Sequence, residues 1–119
     1  MYERRHGRRG RRGRIERFQV AAILLLLRER PAHGYDLLER LPALIGEERV
    51  DVGNLYRVLR ALEEQGLVAS EWDEKLPGPA KRTYELTEAG GAALERWAAA
   101  LTETRSHLDL FLQRYEGRR

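Results

Sequence analysis

Residues 51–66 read DVGNLYRVLRALEEQG, and the fold is decided there. Asp51 has the side chain of an N-cap, and Gly66 supplies the left-handed residue that closes a helix. Between them the spacing predicts a helix over 52–65. At about 100° per residue, Val52, Leu55, Val58, Leu59 and Leu62 share one face, which is the expected core face. Opposite them stand Gly53, Arg57, Arg60 and Glu64, with Asn54 and Tyr56 on the shoulders.

Upstream, Pro31 separates two further helices. The first is expected from about Arg14 to Arg30; its stripe of Ile15, Phe18, Ala22, Leu25 and Leu26 is widened by Ile23, Leu24 and Leu27. A helix apolar almost all round is buried on more than one side, and in so small a domain a second chain is the expected cover for Ile23, Leu24 and Leu27. The second helix is expected from about Gly34 to Leu44, packing through Leu37, Leu38 and Leu41, with Pro42 ending it early or kinking it. Gly46 to Val50 reads as a loop.

Downstream, Leu67 to Asp73 and Arg82 to Leu86 alternate apolar with polar residues. The intervening Glu74-Lys75-Leu76-Pro77-Gly78-Pro79-Ala80 is turn chemistry, so a hairpin is predicted. Thr87 caps a last helix that begins weakly, with Gly90 and Gly91 in its first turn, and runs to about Tyr115. Leu94, Trp97, Leu101, Thr104, Leu108, Phe111 and Tyr115 are spaced as a heptad seam with only Thr104 polar. Such a stripe can pack on its own domain. A rod of about 42 Å, however, outreaches a three-helix core, and a coiled-coil-like homodimer is expected through Leu94, Trp97, Leu101, Leu108 and Phe111. The class is mainly α with a small β-hairpin, in winged helix-turn-helix order. The expected division is a winged helix-turn-helix DNA-binding domain over 14–87, a dimerisation helix over 88–119, and over 1–13 an Arg/Gly-rich tail expected to be disordered.

Charge placement decides between a plain surface helix and a DNA-reading one. The total is +3, but residues 1–14 hold seven arginines against Glu3, a balance of +6, which leaves −3 for the remainder. The high pI therefore belongs to the tail. In the acidic body, Arg57 and Arg60 supply charge to the outward face of the third helix, and Asn54 and Tyr56 supply hydrogen bonds. Gly53 allows backbone to approach phosphate at the dipole-positive end. Any surface helix can carry two arginines, but the chain's two lysines, Lys75 and Lys81, both flank the hairpin turn, with Arg82 beside them. A hairpin lying along phosphates gains from that arrangement, because each neutralised phosphate releases counterions. The competing reading is a winged-helix module for protein or RNA partners that does not read DNA sequence.

Other classes fall away. The chain has no cysteine, and His6, His33 and His107 show no paired spacing, so no metal or cofactor is expected. No nucleophile–base pair, carboxylate cluster or phosphate-cradling glycine loop marks an enzyme. The apolar run Val20–Leu27 after the arginine pairs is too short to span a membrane, and Arg28-Glu29-Arg30 follows it instead of a cleavage site. A cytoplasmic protein is expected.

Four stretches carry a resemblance: His33-Gly34-Tyr35-Asp36-Leu37, Val50-Asp51-Val52-Gly53-Asn54-Leu55-Tyr56-Arg57-Val58-Leu59, Leu62-Glu63-Glu64-Gln65-Gly66-Leu67-Val68 and Arg82-Thr83-Tyr84-Glu85-Leu86-Thr87-Glu88-Ala89-Gly90. In this order and spacing, over about residues 18 to 100, the chain resembles the PadR family of bacterial transcriptional regulators, in its short form with one C-terminal helix. The resemblance implies a dimeric winged-helix repressor, with Gly53, Asn54 and Tyr56 in the recognition-helix motif and Lys81 with Arg82 in the basic wing. Tyr35 falls in the motif opening the second helix, as a phosphate contact or a core-edge tyrosine. Small relatives bind flat aromatic compounds between paired tryptophans of the last helix, which makes Trp97 a candidate for an aromatic inducer as well as for plain seam packing. The chain departs from the family at Asp51 and Val52, where proline or serine is common, and in its arginine-glycine tail. That tail fits a minor-groove arm, a non-specific nucleic-acid binder or a solubilising segment.

Overall fold

A computed structural model describes residues 18–73 and 82–117. The order is α1 (18–29), β1 (Ala32–His33), α2 (Gly34–Ile45), α3 (Val52–Glu64), β2 (Val68–Trp72), β3 (Arg82–Leu86) and α4 (Glu88–Glu116). The arginine-glycine tail, Lys75 and Lys81 lie outside the described residues. The three strands form one antiparallel sheet in the order β1-β3-β2, with Ala32 and Ser70 flanking Tyr84 in register. The mainly helical winged-helix class is as expected. The short strand β1 is an addition, because two residues beside a proline give no alternation for a sequence to display.

The helix ends follow the chemistry of their residues. Asp51 accepts the Asn54 amide at 2.8 Å and starts α3. At the other end Gly66, at φ 77°, donates its N–H to the Glu63 carbonyl, and Leu67 donates to that of Leu62. This paired closure needs a left-handed residue, and glycine takes that conformation without strain. Pro42 neither stops nor shortens α2. It sits in the last turn, where a missing amide removes a single intrahelical bond, and its carbonyl accepts the N–H of Gly46.

The core corrects one expectation. Ile23, Leu24 and Leu27 are buried within the single chain, in one cluster with Leu37 and Leu41 of α2, Leu55 and Leu59 of α3, Tyr84 of β3 and Leu94 of α4. Helix α1 is apolar all round because its own domain closes around it. These three residues have no surface left for a partner subunit, and their place in a dimer interface is withdrawn. Val52 is a second correction: it is 54% exposed rather than in the core. It is the first residue of α3, while Leu55, Val58, Leu59 and Leu62 fill the buried face.

The start of α4 is fastened to the end of α3. The Thr87 hydroxyl donates to the Gly66 carbonyl at 2.7 Å and accepts the Gly90 amide at 3.0 Å, while the Thr87 amide donates to the Leu67 carbonyl. Gly90 reads as a weak helix residue in sequence, yet a Cβ there would lie 2.1 Å from the Leu67 carbonyl oxygen. The glycine is what allows the two backbones to approach. Beyond Leu94 and the half-buried Trp97, α4 leaves its domain, and residues 98–117 are exposed throughout.

Candidate nucleic-acid interface

Helix α3 presents Gly53, Arg57, Arg60 and Glu64 to solvent, on the side opposite its four buried leucine and valine residues. A Cβ on Gly53 would meet the Asp51 carboxylate at 3.5 Å, so nothing among the described residues requires a glycine there. Asn54 and Tyr56 are less available than their wheel positions suggest. The Asn54 amide group donates to Gln19 Oε1 at 3.2 Å, and its oxygen accepts from the Arg57 guanidinium. The Tyr56 ring is half-buried and lies over Gly34, where a Cβ would come within 2.6 Å of its hydroxyl oxygen. Tyr56 thus acts as a spacer between α2 and α3. Tyr35, by contrast, is 63% exposed on the first turn of α2.

On the wing, cross-strand pairing brings Arg82 beside Trp72, with the guanidinium 4.5 Å from the ring centroid. Arg82 also donates to the Ser70 hydroxyl at 3.0 Å, which in turn donates to Glu63 of α3 at 2.8 Å. Arg82 therefore ties the wing to α3, whatever else it touches. Next to it, burial pushes the Tyr84 hydroxyl above its usual range, with Arg82 partly offsetting the shift. At the sheet's other edge, His33 lies between α2 and the wing: Nδ1 is 3.6 Å from Asp36, and Nε2 is 3.7 Å from Asp73 and 3.4 Å from the Thr83 hydroxyl.

Two residues of this arrangement escape a sequence reading. Gln19 is a lone polar residue at the start of an apolar helix, and only the packing of α1 against α3 brings it to Asn54. Trp72 could have been found from its strand alternation, which places it on the face of Ser70 and opposite Arg82 in a two-strand register.

The seam residues of α4 divide. Leu94 is buried in its own domain, Trp97 packs at the core's edge, and Leu101, Leu108 and Phe111 are exposed. Around Trp97 an open groove of about 310 Å³ is lined by Ala93, Arg96 and Ala100. Among the described residues no helix is long and apolar enough to cross a membrane.

Residues 23–96 match the Transcriptional regulator PadR-like family. A transcriptional regulator of Mycobacterium tuberculosis is 38% identical over 78 residues, covering 66% of this chain and 60% of that protein. A second protein of that organism is 34% identical over 79 residues, and there the chain spans 42% of the relative's length. Among solved structures, a PadR family transcriptional regulator from Eggerthella lenta is similar at 29% identity and a TM-score of 0.67, covering 95% of this chain and 98% of that one. Bacillus subtilis PadR, solved in complex with operator DNA, is similar at 26% identity and a TM-score of 0.58, over 66% of this chain and 46% of that one.

Proposed function

This chain belongs to the PadR-like family of transcriptional regulators, and on that premise we propose that it is a homodimeric cytoplasmic repressor that binds an inverted-repeat operator. The observation that carries the reading is the outward face of α3, where Arg57 and Arg60 stand exposed beside a glycine the fold does not need. A similar chain has been solved on operator DNA, which supports a nucleic-acid partner. In this reading Arg57 and Arg60 reach base edges, Gly53 and Tyr35 approach phosphate, and Lys75, Lys81 and the wing run along the backbone.

The distal part of α4 supports the dimer. An isolated helix is marginal in water, and side chains such as Leu108, 57% exposed, and Phe111, 65% exposed, find cover in a second copy of the same seam. The groove at Trp97 supports release by a flat aromatic ligand, stacked where two copies of α4 meet. Quenching of Trp97 fluorescence in a Trp72→Phe background measures that step. No change with a panel of planar aromatics would leave Trp97 as packing alone.

A salt titration on short duplexes tests the whole. Affinity should fall steeply with salt while one inverted repeat stays preferred over its scramble. Arg57→Ala or Arg60→Ala should cost about 1–3 kcal/mol of that preference. Lys75→Ala or Lys81→Ala should weaken all duplexes alike and flatten the salt slope by up to about one. Binding to every duplex without preference would favour a winged-helix module for other partners.

A further inference from the structure

We infer that Gln19 is a positioning residue for base recognition, holding Arg57 in place through Asn54. The inference rests on the DNA-reading role of α3 proposed above and assigns Asn54 a different part in it. Gln19 is only 3% exposed, at the start of α1. Its Oε1 accepts from Asn54 Nδ2, and Asn54 Oδ1 accepts from Arg57.

The direction of this relay has a single chemical solution. A guanidinium can only donate, so Asn54 must turn its oxygen toward Arg57 and its amide group toward Gln19. Gln19 must then offer its oxygen, which sends its own amide group inward. Gln19 Nε2 is indeed buried and, among the described residues, without a hydrogen-bond partner. A buried unsatisfied donor is rare and calls for a compensating role. Serving the arginine accounts for it.

Asn54 is already committed within the chain. Its backbone N–H is taken by Asp51, and both ends of its carboxamide are engaged. Its contribution is to fix a long side chain before DNA arrives, which reduces the rotamer freedom lost on binding.

Base-by-base competition binding, together with ¹⁵N relaxation at the Arg57 guanidinium of the free protein, tests the relay. Gln19→Met keeps the length of the side chain and removes the unsatisfied donor, so the thermal midpoint should hold or rise. In this variant the Arg57 guanidinium should become more mobile. Preference should drop about threefold to tenfold, at the base position that Arg57→Ala relaxes and at no other. Gln19→Glu, which keeps an acceptor oxygen, should restore much of it, and Gln19→Met should add nothing once Asn54 is alanine. The relay is overturned by unchanged Arg57 mobility in Gln19→Met, by additive losses in the double variant, or by an Asn54→Ala effect at a separate base. A wild-type protein without base preference would end the DNA reading of α3, while the relaxation measurement still decides whether the relay exists.

Discussion

Tyr84 occupies the middle strand with Ala32 on one side and Ser70 on the other, and its phenol is held neutral by burial. Because its folded value is raised, the stability linked to it is complete below the unfolded value of about 10 and is lost as pH climbs through the folded value. Denaturant midpoints measured from pH 8 upward should therefore fall in the alkaline range, and Tyr84→Phe should flatten that fall. An equally steep fall in the variant would assign it to other groups. The glycine pair opening α4 gives a second contrast at this scale. Gly90→Ala forces a Cβ against the Leu67 carbonyl, whereas at Gly91 the nearest atom is a methyl carbon of Leu86 at 4.0 Å. The first change should cost about 3 kcal/mol, near 10 °C or more in Tm. The second should gain about 0.5–1 kcal/mol from helix propensity. Differential scanning calorimetry on the two variants distinguishes them by sign.

Helix α4 is two elements in one rod. Its first three turns belong to the winged-helix core, through Gly90, Ala93, Leu94 and Trp97, and from residue 98 to 117 it is exposed among the described residues. Leu94→Ala should therefore lower stability by about 2–5 kcal/mol as a core cavity. Leu108→Glu leaves that core intact, and its effect should appear in sedimentation as loss of dimer. If Leu108→Glu unfolded the monomer domain instead, the distal helix would be packing on its own chain. The wing divides in a comparable way. Its strands are tied to α3 through Arg82, Ser70 and Glu63.

For the molecule as a whole, the proposed dimer makes two weak half-site contacts act together. A two-fold dimer places its recognition helices about one DNA turn apart, near 34 Å. Leu101→Glu, which touches no DNA, should then reduce operator affinity far more than half-site affinity. Parallel sedimentation and binding curves check this, and equal losses on both duplexes would argue against coupling through α4. Charge is likewise organised across the whole chain: residues 1–14 carry +6 over a body of −3, so in the proposed reading any attraction to phosphate has to come from the tail and from a few placed cations.

How much of this was legible in advance follows from the range of the forces involved. Helix α3, its Asp51 and Gly66 ends, the hairpin and the length of α4 were readable because caps, left-handed glycines and periodicity act within a few residues. The outward placement of Arg57 and Arg60 followed from the same periodicity. Hydrophobic periodicity says that a face is covered, but it does not say by what. Ile23, Leu24 and Leu27 therefore looked like dimer residues until the packing of α2, α3, the sheet and α4 covered them within one chain. Val52 had the right phase for the core but is the first residue of its helix and stays 54% exposed. Asn54 looked like a base reader because its partner, Gln19, is 35 residues away in sequence. Local rules determined the elements and their exposed charges; tertiary contacts decided which polar atoms were already spoken for.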